Sequence, residues 1–185
     1  MSDDLALAVA ALRAGGVIAY PTEAVYGLGC DPQQRAAFLR LFALKQRPAT
    51  QGVLLIGADF AQVAPYIDFV ATPSAALAHA QASWPGPHTW VFPRARGVPA
   101  WIAGGHGGIA LRVTAHEPAA ALCRAFGGAL VSTSANRHGE APARSAAEVR
   151  AAFGNDLDAV FDAPVGGLER PTPIRDAISG ETLRH

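Results

Sequence analysis

The chain has 185 residues, a formal net charge of zero, 50% hydrophobic residues and only 16% charged ones. That balance fits one core-bearing domain, residues 1–185, and excludes a disordered chain. It also argues against nucleic-acid binding through a general positive field, which calls for a basic domain. No apolar run reaches the length of a membrane span. Asp3 and Asp4 stand where a secretory signal would carry basic residues. Cys30 and Cys123 lie far apart in no paired spacing, as expected of reduced thiols in a cytoplasmic protein.

Ser2 is placed to cap a first helix with Asp3 and Asp4 in its first turn, and Leu5, Val9 and Leu12 recur at helical spacing. Gly15-Gly16 ends it. Residues 17–20 read as a buried strand stopping at Pro21, and 21–32 as a long connection of rigid, polar and glycine positions. A helix is expected over 33–45, with Phe38, Leu39, Leu41, Phe42 and Leu44 inward. Residues 53–56 form a continuous apolar run, typical of a strand covered on both faces. Asp59 can cap a short helix, and 73–82 is an alanine-rich helix. A rigid turn over 84–89 leads into a strand at 90–92, and the glycine-rich stretch 104–108 reads as flexible. A strand at 109–113, a helix at 117–126 with Pro118 in its first turn, and a strand from Leu130 follow. Ser145 and Glu148 form a capping pattern for a helix to Phe153. A short strand at 159–161 and a hairpin built from 174–178 and 182–184 complete the chain.

Loops that leave strand ends in α/β proteins often build sites. Thr22 lies just beyond the first strand, where its hydroxyl either meets a ligand or caps local backbone. Glu23 is a candidate acid or base without an evident partner. The chain's single lysine is Lys45, in Lys45-Gln46-Arg47-Pro48. Lysine offers a compact point charge and arginine a rigid planar fork. In an extended segment the two would face one ligand, whereas at a helix end they would be solvated cations favoured by the dipole. Arg112 interrupts an apolar strand and needs a partner or a pocket. A structural ion pair and a guanidinium fork around a ligand carboxylate or phosphate are both open. Ser132, Ser134 and Asn136 share a side if the segment stays extended, and could cradle anionic oxygens. The alternative there is a polar strand end entering a turn at His138-Gly139. The stretch 104–108 lacks the Gly-Lys-Ser/Thr ending of a phosphate loop. No Gly-x-Ser-x-Gly elbow supports a serine hydrolase, and His88, beside tryptophans, is assigned to packing.

Together these residues resemble the YrdC/TsaC family of L-threonylcarbamoyladenylate synthases. The resemblance runs from Gly15 to the C-terminus. It includes Tyr20-Pro21-Thr22-Glu23-Ala24-Val25-Tyr26-Gly27-Leu28-Gly29, Lys45-Gln46-Arg47-Pro48 and Trp84-Pro85-Gly86-Pro87. It continues through Leu111-Arg112-Val113, Ser132-Thr133-Ser134-Ala135-Asn136 and Ile174-Arg175-Asp176, the last as in the short bacterial form. It implies a YrdC-like fold: a single α/β domain with a twisted mixed β-sheet flanked by helices and a concave active-site cleft at strand-end loops. It implies a nucleotidyltransferase that converts L-threonine, bicarbonate or CO2, and ATP into threonylcarbamoyl-AMP and pyrophosphate. That is the first step towards threonylcarbamoyladenosine beside the tRNA anticodon, with a threonylcarbamoyltransferase complex downstream.

The family's Lys-x-Arg and Ser-x-Asn signature falls on Lys45, Arg47, Ser134 and Asn136. The resemblance makes these four catalytic and ATP-binding, with Arg184 also on the nucleotide. It makes Thr22, Arg112, Ser132 and Thr172 the threonine site. Mg2+ is expected with the triphosphate, and no carboxylate cluster marks a protein-built metal site. Longer members carry a histidine and a proline shortly after the Lys-x-Arg-Pro motif, where this chain has Gln51-Gly52. They also carry a further C-terminal domain, where this sequence ends at His185, so closure of the cleft must come from elsewhere.

Two other classes compete. An RNA-binding or ribosome-maturation factor would use a basic concave face and show steep salt dependence, which leaves room for a weak tRNA contact. A carbamoyl-transfer module of the hydrogenase-maturation type shares the motif family and would not depend on threonine.

Overall fold

A computed structural model describes residues 3–48 and 52–184. The expected cap at Ser2 and the departure at Gln51 lie outside the described residues.

Helix α1 (Asp3–Arg13) buries Leu5, Ala8, Val9 and Leu12 on one stripe. It ends at Gly15, whose φ of 82° is left-handed, and the N–H groups of Gly15 and Gly16 return to the carbonyls of Leu12 and Ala11. Strands β1 (Ile18–Pro21) and β2 (Tyr26–Gly29) form an antiparallel hairpin. The connection expected over 21–32 therefore contains a strand. Its glycines hide it, because glycine is depleted from strands. Packing demands glycine here: a Cβ on Gly29 would lie 2.6 Å from the Tyr20 ring and 2.6 Å from the Val131 carbonyl oxygen.

Helix α2 (Arg35–Lys45) buries Ala37, Phe38, Leu41, Phe42 and Lys45. Positions 38, 41, 42 and 45 share one helical face. That face carries Lys45 inward and leaves Leu39, expected to be buried, 45% exposed. The chain continues through β3 (Leu54–Gly57), α3 (Phe60–Val63), α4 (Ser74–Ala82), β4 (Thr89–Pro93) and α5 (Ala100–Ala103). It completes with β5 (Gly108–Val113), α6 (Glu117–Phe126), β6 (Leu130–Ser134), α7 (Ala146–Phe153), β7 (Ala159–Val160), β8 (Ile174–Asp176) and β9 (Thr182–Arg184). Two caps form as expected: the Asp59 side chain accepts from the Gln62 N–H and the Ser145 side chain from the Glu148 N–H. The glycine-rich stretch 104–108 joins α5 to β5, with Gly108 as the first strand residue. Among the described residues no helix is long and apolar enough to cross a membrane.

The strands form one mixed nine-stranded sheet in the order β7-β1-β2-β6-β3-β5-β4-β8-β9. The pairs β1–β7, β3–β5 and β4–β8 are parallel and the others antiparallel. Alternation then sorts the side chains. Val17, Ala19, Leu55, Leu111 and Val131 point into a core with Phe38, Leu41 and Phe42 of α2 and Val149 and Phe153 of α7. Ile18, Tyr20, Ile56 and Leu130 point the other way, into a second core under α1 and α6. These two helices cover only part of that second face, and a cavity lies over the uncovered part.

Candidate active site

An open cavity of about 810 Å³ lies over the uncovered part of the sheet, within the usual range for small-molecule sites, roughly 300–1,000 Å³. Its floor comes from one alternation class. Ser132 and Ser134 of β6, Leu54 of β3, Ala110 and Arg112 of β5, and Val91 of β4 all border it. The cleft expected at strand-end loops is thus built chiefly on a sheet face, with loops as its rim. Gly27 of β2 keeps this floor low, since a Cβ there would already touch Ser132 Oγ and Thr22 Cγ2 at 3.4 Å.

Of the two meanings held open for Arg112, the structural ion pair is realised, and the residue also lies at the cavity. Its side chain borders the cavity and is buried in an ion pair, with Nη1 donating to Glu23 Oε2 at 3.0 Å. Nε and Nη2 donate to Thr89 Oγ1 at 3.0 and 2.8 Å, and Nη2 also donates to the Thr172 hydroxyl. The second Glu23 oxygen accepts from Thr114 Oγ1 at 2.7 Å. Burial pulls the guanidinium pKa down, and the Glu23 carboxylate opposes that pull. Thr22 borders the same space while its hydroxyl donates to the Val25 carbonyl at 2.7 Å. It is both a local cap and a wall residue.

The Lys-x-Arg segment is not extended. Gln46 has φ 52° and closes α2 in a left-handed turn, so Lys45 and Arg47 do not share a side. Lys45 Nζ donates to the Ser134 carbonyl, to the Asn136 carbonyl at 3.0 Å and to Asn136 Oδ1 at 3.3 Å. Burial, with the Arg47 charge adding, pushes this ammonium down to about 8. Arg47 borders the cavity, stacks over Phe42 at 5.6 Å and donates to the Gly52 carbonyl at 3.3 Å. Asn136 also leaves the expected line, because β6 ends at Ser134. Its Oδ1 accepts from Ser134 Oγ at 2.6 Å and its Nδ2 donates to the Arg137 and Glu140 carbonyls. Lys45 and Asn136 thus stand behind Ser134, while Ser134 itself borders the cavity.

Arg184 of β9 borders the cavity opposite. Burial lowers the pKa of Arg47 and of Arg184, and each also feels a second arginine, Arg184 in the first case and Arg112 in the second. Arg47 and Arg184 therefore bring positive potential to one space in a chain of zero net charge, beside Arg112, whose charge Glu23 offsets. The sequence reading missed His106 and Gly107 on the rim. Their signal was the glycine-rich stretch itself, set aside because it lacks the phosphate-loop ending.

The profile of the Sua5/YciO/YrdC family, described as "Telomere recombination", matches residues 10–185. The chain belongs to this family. The threonylcarbamoyl-AMP synthase of Halorhodospira halophila is 58% identical over 177 residues, covering 96% of this chain and 92% of that protein. The protein of the same name from Xanthomonas campestris pv. campestris (strain B100) is 52% identical over 181 residues, 98% of this chain and 97% of that one. Among solved structures, P. abyssi Sua5 complexed with L-threonine superposes with a TM-score of 0.86 at 31% identity. That match covers 93% of this chain and 50% of the Sua5 chain, so this chain spans half of that protein's length. E. coli YciO, at 24% identity and a TM-score of 0.80, covers 98% of this chain and 90% of its own and shares the fold. The four residues expected to carry the Lys-x-Arg and Ser-x-Asn signature thus divide into a cavity pair, Arg47 and Ser134, and a pair behind it, Lys45 and Asn136.

Proposed function

We propose that this member of the family is a threonylcarbamoyl-AMP synthase, using L-threonine, bicarbonate or CO2, and ATP. The observation that carries the reading is the convergence of Arg47, Arg112 and Arg184 on one hydroxyl-lined cavity, in a chain 58% identical to a protein of that name. The threonine amine and CO2 form a carbamate with loss of a proton. A carbamate oxygen then attacks the α-phosphorus of ATP, and the bond to pyrophosphate breaks. Both reactants are anions, so the cost of bringing them together is electrostatic. Fixed cations around the cavity lower that cost and stabilise the charge of the transition state. The carbamate is already anionic, and the step needs no strongly perturbed general base.

In this reading Arg47, Ser134 and Arg184 hold the nucleotide, with Lys45 and Asn136 behind them. Thr22, Arg112, Ser132 and Thr172 hold threonine. Magnesium belongs to the phosphate oxygens, where it would neutralise charge. Among the described residues no group of three or more His, Cys, Asp or Glu side chains could hold a metal ion. The Asp176 carboxylate, on the rim, accepts from the Ile178 and Ser179 N–H groups. The product would pass to a threonylcarbamoyltransferase complex acting on tRNA in the cytoplasm. Any contact of this chain with tRNA would be weak, given zero net charge. Pyrophosphate release from purified protein with ATP and magnesium tests the reading. Release that requires both threonine and bicarbonate is expected. Release without threonine, or none at all, overturns it.

A further inference from the structure

Glu23 sits in the turn between β1 and β2, beside the cavity floor, with both carboxylate oxygens engaged. It joins three parts of the molecule. Oε2 accepts from Arg112 of β5, and Oε1 accepts from Thr114 just beyond that strand. Its backbone carbonyl accepts from the Leu168 N–H at 3.0 Å, in the strap that leads to Thr172. The strap lies so close that a Cβ on Gly166 would fall 2.9 Å from Glu23 Cα and from its carbonyl oxygen. Gly166 N–H also donates to the Thr22 carbonyl at 3.0 Å.

A guanidinium has five N–H groups. Nε and Nη2 of Arg112 donate to Thr89, Nη2 donates again to Thr172, and Nη1 donates once to Glu23. One N–H on Nη1 remains, in a residue that borders the cavity. The carboxylate that fixes Nη1 therefore fixes the only donor that the described contacts leave for a ligand on this side chain. We propose that Glu23 is a positioning residue for the amino-acid substrate, acting through Arg112 rather than as an acid or base. This rests on the synthase reading for the identity of the substrate. The site holds Arg112 in one orientation before threonine arrives, and a threonine carboxylate meets an N–H already aimed and charged.

Glu23→Gln keeps the size of the side chain, removes its charge and turns an amide donor towards one of its two donors. The Michaelis constant for threonine is expected to rise on the order of tenfold or more while that for ATP stays within about twofold. In an Arg112→Gln background the same substitution is expected to add nothing, because both act through one contact. Equal losses for both substrates, no loss for threonine, or additive effects in the double variant would each overturn the proposal. A second readout does not need turnover. The Arg112 Nε–H resonance, assigned by its loss in Arg112→Lys, should exchange faster in Glu23→Gln than in the parent protein. Unchanged exchange overturns the positioning role whether or not the protein makes product, while absent product with faster exchange faults only the synthase reading. Should Glu23→Gln fail to fold, Thr114→Val frees one carboxylate oxygen while keeping its charge, and the same measurements apply at smaller amplitude.

Discussion

Two buried cations support this cavity, and they are held in opposite ways. Arg112 lies on the sheet face, with a carboxylate and two threonine hydroxyls around its guanidinium. Lys45 lies at the end of α2, where its ammonium meets two backbone carbonyls and an amide oxygen. The first charge has a counter-ion inside the protein. The second is held by neutral dipoles alone among the described contacts. A buried ion pair keeps both members ionised, whereas a buried cation among dipoles sits closer to losing its proton. The protein thus combines a fixed charge on a rigid sheet with a responsive one at a helix end, and Ser134 lies between them on the cavity floor.

The largest expected effect separates the two by what each removal leaves behind. Arg112→Ala strands the Glu23 carboxylate in the interior, and breaking a buried pair from one side costs about 3–5 kcal/mol. Lys45→Met leaves only carbonyl and amide oxygens underdonated, about 1–3 kcal/mol, and it also removes a desolvated charge. Urea unfolding of both variants should rank them in that order. Equal losses would mean that Lys45 has an anionic partner after all.

The next effect is a pH dependence, and its sign follows from Lys45 alone. The folded-state pKa, pushed down to about 8, lies below the unfolded value of about 10.4. Between the two the unfolded chain binds the additional proton, so Lys45 makes the fold more stable as pH rises through that window. Below it, the full cost of burying the ammonium is present. The unfolding free energy of the parent protein minus that of Lys45→Met should therefore grow by about 1–3 kcal/mol between pH 7 and pH 10. A flat difference would show that the carbonyl oxygens hold the proton as firmly as Glu23 holds Arg112.

This contrast explains what the sequence could show. The α/β class, both helix caps and most strands were legible because period and capping are local. Strand β2 was not, since Gly27 and Gly29 serve close packing and carry no apolar pattern. Arg112 was legible as a charge in an apolar strand. Its partner Glu23 was not, because 89 residues separate them and only the sheet order brings them together. Lys45 was legible as a singular residue, but the left-handed turn at Gln46 separates its direction from that of Arg47. Helical spacing from Phe38, Leu41 and Phe42 would have put it on the buried face, a signal the sequence reading did not use. The extended reading of Ser132, Ser134 and Asn136 failed one residue after Ser134, where the strand ends.

The smallest expected effect on stability lies where the two supports meet. Ser134→Ala removes the 2.6 Å bond to Asn136 Oδ1 but keeps the Ser134 carbonyl that Lys45 grips. The loss of stability should be about 1 kcal/mol, typical of one hydrogen bond. Activity should respond more, because Ser134 borders the cavity. We expect the Michaelis constant for ATP to rise about tenfold, as for one lost bond to a charged group, with that for threonine unchanged. Asn136→Ala provides the comparison, since it frees the hydroxyl without removing it. A loss as large in Asn136→Ala as in Ser134→Ala means that aiming the hydroxyl is what matters, which would place this end of the cavity under the same logic as Glu23 and Arg112. A loss confined to Ser134→Ala means that the hydroxyl finds the nucleotide unaided, and the rigid end and the responsive end of the site then work by different means.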